Sequence, residues 1–178
     1  KPSSKKKFNY LIFNKPVGIE CTTNQNINNN IIDYLGYPER LFPVGRLDKD
    51  SEGLIFLTND GNIVNKILKA ENKNEKEYIV RVNKKISSDF ILKMSSGVKL
   101  KNITTKKCTV EKINNYLFKI ILIQGLNRQI RKMCSEFDYK VKSLQRVRIM
   151  NIQLGSLKVG KFRKFHPLEL ENLRKIIN

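Results

Sequence analysis

Apolar residues in this chain fall into short runs separated by polar turns, and the runs follow two different periods. Continuous or period-two runs predict strands at residues 9–14, 54–58, 77–82, 106–113, 116–123, 140–148 and 150–154. Apolar spacings of three and four predict helices at residues 31–35, 62–69, 88–95, 127–137 and 167–177. Adjacent strand pairs mixed with single helices indicate an α+β fold.

Turn and cap residues separate these elements. Asn114 and Asn115 link two alternating strands, so they predict a tight hairpin whose turn residues have positive φ. Asn59-Asp60-Gly61 can end one strand and cap the next helix, and Asn127 can cap the helix that runs to about Phe137. The Asn-rich stretch 22–30 and the Pro-bounded stretch 37–43 are interpreted as loops.

The composition is strongly basic. Among 178 residues, 35 Lys and Arg stand against 16 Asp and Glu, which gives a formal net charge of +19. This excess indicates a polyanionic partner, with nucleic acid as the first candidate and a membrane surface as the second. The alternative is that abundant Lys, Asn and Ile reflect an AT-rich genome. No apolar run approaches the ~20 residues of a spanning helix, so we expect a soluble cytoplasmic protein without membrane association.

Cysteine and histidine are too few and too scattered to build a metal centre or a disulfide framework. Cys21, Cys108 and Cys134 include no C-x-x-C spacing, and His166 is the only histidine. We therefore expect no metal site and a reducing compartment. His166, which precedes Pro167, is interpreted as a capping or surface residue, and Cys134 as part of the core.

The segment GRLDKDSEGL, which begins at Gly45, places charged residues between two glycines immediately before a predicted buried strand. Loops held by such a rigid element often carry functional side chains. The residue pattern alone leaves two interpretations equally balanced. One is a functional loop, and the other is a solvated turn whose aspartates hydrogen-bond to the local backbone.

The predicted helix after Asn127 has one cationic and one apolar face. Its cations are Arg128, Arg131 and Lys132, and its apolar residues are Ile130, Met133, Cys134 and Phe137. On pattern alone, an ordinary amphipathic surface helix is the better explanation. Tyr78 similarly alternates with Val80 and Val82, which fits simple core packing.

Four segments, in this order, resemble the motifs of the pseudouridine synthase superfamily in its bacterial branch that modifies ribosomal RNA. FNKPVG begins at Phe13, GRLDKDSEGL at Gly45, EKEY at Glu75 and GLNRQIRKM at Gly125. TKKC at 105–108 and RIMN at 148–151 extend the resemblance, which runs from about Tyr10 to the C-terminal helix. It implies the pseudouridine synthase fold, in which helices flank a mixed, largely antiparallel central sheet and an active-site cleft crosses that sheet.

The resemblance also implies a reaction. A uridine of structured RNA is isomerised to pseudouridine without cofactor or metal, by breaking the glycosidic bond, rotating the base and rejoining it through C5. Asp48 occupies the catalytic position, and Arg131 is implied as the cation that keeps this carboxylate ionised. Tyr78 is implied to stack on the target uracil, and Arg46 to enter the space left by the flipped nucleotide.

Further roles are expected for the neighbouring charges. Arg128 and Lys132 are expected to contact RNA phosphates, which position RNA without reading its sequence. Lys15 is assigned to the same group, with a structural role as its alternative. Asp50 and Glu52 are expected to brace the loop, because a second ionised carboxylate would disfavour ionisation of the first.

Residues 1–8 are expected to form a basic tail or linker remnant, and residues 9–178 the catalytic domain. Family members usually carry a small RNA-binding domain of the alpha-L type upstream. Only KPSSKKK stands in that place, which suggests a catalytic fragment or a shortened relative. The expected partner of this monomeric enzyme is large-subunit ribosomal RNA, with small-subunit RNA or tRNA as alternatives.

Two other functions remain open. One is a non-catalytic RNA-binding factor for ribosome assembly. The other is a nuclease that would hold a metal ion with Asp48, Asp50 and Glu52.

Overall fold

The structure is a computed structural model that describes residues 7–70 and 74–178, so the first six residues of the expected tail lie outside the described residues. Within this part of the chain, nine strands form one sheet in the order β5-β6-β4-β7-β3-β1-β9, with β2 on β3 and β8 on β7. The strands are β1 (Tyr10–Lys15), β2 (Phe42–Val44), β3 (Glu52–Thr58), β4 (Lys76–Val82), β5 (Thr109–Asn114), β6 (Leu117–Leu122), β7 (Val141–Ile149), β8 (Ile152–Gln153) and β9 (Phe162–Lys164). All named pairs are antiparallel except β3 with β7.

Five helices flank the sheet in the described ranges: α1 (Ile31–Leu35), α2 (Gly61–Lys69), α3 (Ser88–Ser95), α4 (Gln129–Ser135) and α5 (Pro167–Ile177). Asp60 caps α2 as the sequence predicts, since its Oδ1 accepts from the backbone of Asn62 at 3.1 Å. None of these helices has the length and apolar character needed to cross a membrane. The mixed sheet with flanking helices confirms the predicted α+β fold.

Apolar residues pack on both faces of the sheet. On one face, α3 and α4 pack over β4, β6 and β7, with Phe90, Phe118 and Met133 fully or almost fully buried. On that same face, α1 covers β1 and the odd-numbered side chains of β3. Helices α2 and α5 cover the opposite face. On the first face, a cleft opens across the sheet between the residues packed under α3 and α4 and those packed under α1.

The parallel pair β3–β7 joins the two halves of the sheet. Gly53 pairs with Arg146, and its φ is 120°. A Cβ at this position would lie 2.2 Å from the carbonyl oxygen of Arg146. Only glycine therefore permits this close approach. Gly53 lies at the start of β3, which follows directly after residues 45–51; these residues connect β2 to β3 and are called the Asp48 loop below.

Several boundaries differ from those predicted. The stretch 37–43 contains part of β2, and β9 has no counterpart in the prediction; both are three-residue strands at the margin of the sheet. The hairpin is confirmed, but its turn residues are Asn115 and Tyr116, and neither has positive φ. A register shift near Asn114 absorbs the difference.

The start of α4 was also predicted wrongly. The helix begins at Gln129 rather than at Asn127, and it ends at Ser135, before Phe137. Arg128 occupies the cap position in the left-handed conformation, with φ 51° and ψ 36°, and makes no side-chain cap. Its side chain therefore leaves the helix face on which ideal spacing placed it.

Candidate active site

A cleft of about 620 Å³ opens on the sheet face that α1, α3 and α4 cover, between α1 on one side and α3 and α4 on the other. Its walls come from the Asp48 loop, from β4 and β7, and from the segment that leads into α4. Among the residues that the structure describes, Asp48 is the only carboxylate that lines the cleft. The described lining cations are Arg46, Lys76, Lys106, Arg128, Arg131 and Arg146. The cleft therefore combines one acid with a cationic surface.

Two buried cations hold the backbone of the Asp48 loop. Lys15 is fully buried, and its Nζ donates to the carbonyls of Pro16 at 2.9 Å, Ile19 at 2.8 Å and, less closely, Lys49 at 3.4 Å. The backbone N–H of Gly18 also donates to the Lys49 carbonyl, at 2.7 Å. The FNKPVG segment is thus a support beneath residue 49. Burial lowers the pKa of the Lys15 ammonium.

Arg146 supports the other end of the loop. It is 4% exposed, and its Nε donates to the carbonyl of Leu54 at 2.8 Å. Its Nη1 lies 3.4 Å from the carbonyl oxygen of Arg46. Arg146 therefore ties β7 to both ends of the segment that contains Asp48.

Asp48 is half-buried and pairs with Arg128, with 3.5 Å between Oδ2 and Nη1. The same guanidinium binds both carboxylate oxygens of Asp50, at 2.9 and 2.8 Å. This two-bond contact lowers the pKa of Asp50 from 3.8 to about 2. Arg128 thus holds Asp50 ionised, and both carboxylate oxygens of Asp50 are occupied by this contact.

Arg131 approaches the same loop from α4. Its Nη2 donates to the Asp50 carbonyl and to Ser51 Oγ, both at 3.1 Å, and lies 3.6 Å from Asp50 Oδ1. The Arg131 side chain is only 17% exposed, whereas that of Arg128 is 41% exposed. Arg131 therefore secures the loop from the inside, and Arg128 lies at its solvent edge.

Tyr78 and Arg46 also line the cleft. Tyr78 lies on β4 opposite Arg146 of β7, next to a register shift between Glu77 and Tyr78. It packs partly against the α3–α4 core, so one side of its ring is fixed while the other faces the cleft. Arg46 is an exposed residue of the Asp48 loop. Both are placed where a base could be held.

The residues described include no group of three His, Cys, Asp or Glu side chains that could hold a metal ion. Asp50 is turned toward Arg128 instead of sharing a cation position with Asp48 and Glu52. This arrangement does not favour the nuclease interpretation.

Residues 9–136 match the family model for RNA pseudouridylate synthase. This match spans most of the chain and includes the cleft from Asp48 to Arg131. The chain belongs to the RNA pseudouridylate synthase family.

Relatives in the pseudouridylate synthase family cover almost the whole chain. It is 52% identical to the dual-specificity RNA pseudouridine synthase RluF of Escherichia coli K12, over 94% of this chain and 58% of that protein. It is 34% identical to a protein of Aquifex aeolicus described as an uncharacterized RNA pseudouridine synthase, over 99% of this chain and 74% of the relative. The chain thus spans little more than half the length of the E. coli relative.

A solved crystal structure of a pseudouridylate synthase has the same fold, with a TM-score of 0.86 at 28% sequence identity. The match covers 94% of this chain and 74% of that structure. The predicted family and fold are therefore confirmed.

Within this pseudouridylate synthase cleft, two of the predicted contacts are corrected. The ion-pair partner of Asp48 is Arg128 and not Arg131, because Arg128 leaves the helix face through its left-handed backbone. Lys15 was assigned to RNA phosphate, but it is fully buried and bound to backbone carbonyls, so its structural alternative is correct. Lys132 is exposed on α4, as the spacing predicts, and does not line the cleft.

Sequence reasoning missed three cleft cations: Arg146, Lys76 and Lys106. Period-two alternation puts Arg146 on the same face of β7 as Leu144. A cation at such a core-facing position is unusual, so the sequence offered a signal for Arg146. Lys76 alternates in the same way with Tyr78 on β4. Lys106 lies in the TKKC segment, for which the sequence offered a resemblance but no role.

Proposed function

We propose that this protein is an RNA pseudouridine synthase that isomerises a uridine of large-subunit ribosomal RNA. The observation that carries the proposal is the cleft in which, in the described part of the chain, Asp48 is the only lining carboxylate, with Tyr78 and six cations around it. An RNA-modifying enzyme needs a cationic surface for phosphates and an isolated acid for its chemistry. The family membership supports the same assignment.

The isomerisation needs no co-reactant. The bond from C1′ to N1 of uracil breaks, and a bond from C1′ to C5 forms in its place. The proton on C5 is lost and N1 ends protonated, so atoms, electrons and protons balance within the nucleotide and solvent. A single ionised carboxylate can serve as nucleophile or base in this sequence, and Asp48 is the group at the cleft that can do so.

The neighbouring groups prepare Asp48 for this role. Arg128 places a cation 3.5 Å from the Asp48 carboxylate, and Arg131 holds the loop through Ser51 and the Asp50 backbone. Tyr78 stacks on the uracil from the floor of the cleft. Arg46 enters the space that the flipped nucleotide leaves, which offsets part of the few kcal/mol that flipping costs.

The large-subunit assignment draws its support from the motif resemblance and from relatives that include a ribosomal large subunit pseudouridine synthase B of Buchnera aphidicola, at 33% identity. The name of the E. coli relative says that it has two specificities, so a second RNA target belongs to the proposal as well. The proposed enzyme acts as a monomer on cytoplasmic RNA.

Mapping of pseudouridine in ribosomal RNA tests the proposal. RNA is taken from cells with and without the gene, treated with carbodiimide and read by primer extension. We expect at least one large-subunit adduct to disappear without the gene and to return with a plasmid copy. A change confined to small-subunit RNA or tRNA would overturn the large-subunit assignment, and an unchanged map of all three would overturn the enzymatic function.

A further inference from the structure

The TKKC segment, 105–108, forms part of the cleft but has no role in the function proposed above. Lys106 lines the cleft on its β4–β6 side, together with Lys76 and Gln124. Asp48 lies on the β3 side, and β7 separates the two walls in the sheet. Lys107, the next residue, does not line the cleft.

Contacts on both sides fix the backbone of this segment. Thr105 is 4% exposed; its Oγ1 accepts from the backbone N–H of Val98 at 2.8 Å, and its own N–H donates to the Val98 carbonyl at 2.9 Å. Cys108 donates from its backbone to the Ser95 carbonyl at 3.0 Å. These bonds hold the segment against the end of α3. The backbone from which the Lys106 side chain extends is therefore held on both sides.

Lys106 is also joined to the segment that leads into α4. Its backbone N–H donates to Gln124 Oε1 at 2.9 Å, and the Gln129 side-chain amide approaches the same oxygen at 3.4 Å. Gln129 is 4% exposed and begins α4. The backbone of Lys106 is thereby linked through Gln124 and Gln129 to α4, the helix that carries Arg131.

The charge around Lys106 favours an anionic ligand. Within the described ranges, no carboxylate lies within 4 Å of its ammonium. The Lys76 ammonium lies on the same wall, 3.4 Å from the place that a Cβ on Gly125 would occupy. Lys106 on one wall and Asp48 on the other are complementary to a nucleotide that places its base toward Asp48 and its phosphate toward Lys106.

We infer that Lys106 forms a phosphate-binding site on this wall for a phosphodiester adjacent to the flipped uridine. This inference rests on the proposed function and specifies how the RNA backbone enters the same cleft. A lysine acts at such a site as a point charge, so it contributes to RNA affinity and position rather than to the chemical step.

Neighbouring lysines provide a matched experiment. Lys106→Gln and Lys107→Gln each remove one positive charge, one residue apart, and Lys106→Arg keeps the charge. Affinity for an unmodified large-subunit ribosomal RNA transcript is measured by filter binding in an Asp48→Asn background between 50 and 200 mM salt. We expect Lys106→Gln to weaken binding about tenfold and to reduce the salt slope by about 1, with less than about twofold change for Lys107→Gln and Lys106→Arg.

Turnover separates binding from chemistry. In the active protein, we expect Lys106→Gln to raise KM for the transcript while kcat stays within about twofold. Equal effects of Lys106→Gln and Lys107→Gln on binding would overturn the inference, as would a loss confined to kcat. Binding is measured without turnover, so failure of this inference is distinguishable from failure of the proposed function. If the proposed function were wrong, the wild-type protein would form no pseudouridine.

Discussion

At the scale of single residues, the Asp48 loop depends on buried cations that bind backbone carbonyls. Lys15 and Arg146 do not contact the Asp48 carboxylate, yet they fix the carbonyls of residues 46 and 49 on either side of it. A buried ammonium is tolerated here because it donates to three carbonyls. The geometry of the loop that carries Asp48 is therefore set partly by side chains that bind its backbone and not its carboxylate.

Replacing Lys15 with methionine tests this support. The variant keeps most of the side-chain volume but leaves buried carbonyls without a donor, so we expect the free energy of unfolding to fall by about 2 kcal/mol or more in urea titrations. Lys49→Met is the control, because the Lys49 side chain is 56% exposed and its ammonium makes a 3.7 Å ion pair with Glu20. Equal stability of the two variants would contradict the supporting role of Lys15.

The Asp50–Arg128 pair makes a prediction about acid. Folding lowers the pKa of Asp50 from 3.8 to about 2, so the ionised form is favoured in the folded protein. The resulting stabilisation is complete above about pH 5 and is lost as the pH falls toward 2. We expect the difference in free energy of unfolding between wild type and Asp50→Asn to shrink between pH 4 and pH 2. A difference in the free energy of unfolding that stays constant between pH 4 and pH 2 would contradict a lowered pKa of Asp50 in the folded protein.

At the scale of elements, strands and helices with a clear apolar period were predictable, whereas short or strained segments were not. Asp60 as the cap of α2 and the β5–β6 hairpin follow from local residue preferences. By contrast, β2 and β9 contain three residues each and depend on pairing with distant strands. The left-handed Arg128 carries no local signal, because its conformation is stabilised by contacts with the Asp48 loop.

The same limit applies to the site. Asp48, Tyr78 and Arg131 were recognisable from ordered motifs, and their elements bring them to one cleft. The family resemblance implied Arg131 as the partner of Asp48, but the irregular start of α4 brings Arg128 there instead. The burial of Lys15 follows from how FNKPVG folds beneath a loop more than 30 residues away, as its contact with Lys49 shows. A sequence pattern does not encode such a contact.

The β3–β7 junction makes a prediction at this scale. Gly53→Ala would place a Cβ 2.2 Å from the Arg146 carbonyl, at a φ of 120° that side chains disfavour, so the parallel pairing must yield. We expect a loss of at least about 2 kcal/mol in the free energy of unfolding. Gly61→Ala is the matched control, because nothing lies within 4 Å of its added Cβ and it begins a helix. It should be neutral or stabilising, and similar losses at both positions would contradict the account.

At the scale of the whole molecule, the chain has a net charge of +19 and contains a cleft lined by cations. Such a charge attracts RNA without regard to sequence. The proposed function then assigns affinity and chemistry to different residues: lysines and arginines would bind phosphates, and Asp48 would react.

This division predicts a strong effect of salt on binding. Affinity of the wild-type protein for a ribosomal RNA transcript should fall by about two or more orders of magnitude between 50 and 200 mM salt, since each phosphate contact contributes about 0.7 to 0.9 to the slope. The turnover number at saturating RNA should change little over the same range. Salt-independent affinity would contradict an electrostatic mode of RNA binding.

The central claim is that Asp48 is the reacting carboxylate. It is tested most directly by comparing Asp48→Asn with wild type on an unmodified large-subunit ribosomal RNA transcript, measuring pseudouridine by carbodiimide mapping and RNA affinity in parallel. Asp89→Asn makes the same chemical change on α3, where its carboxylate pairs only with Lys93 in the described structure. We predict that Asp48→Asn forms no pseudouridine while its RNA affinity stays within about threefold of wild type, and that Asp89→Asn remains active. Pseudouridine formation by Asp48→Asn at a rate near that of wild type would contradict the account.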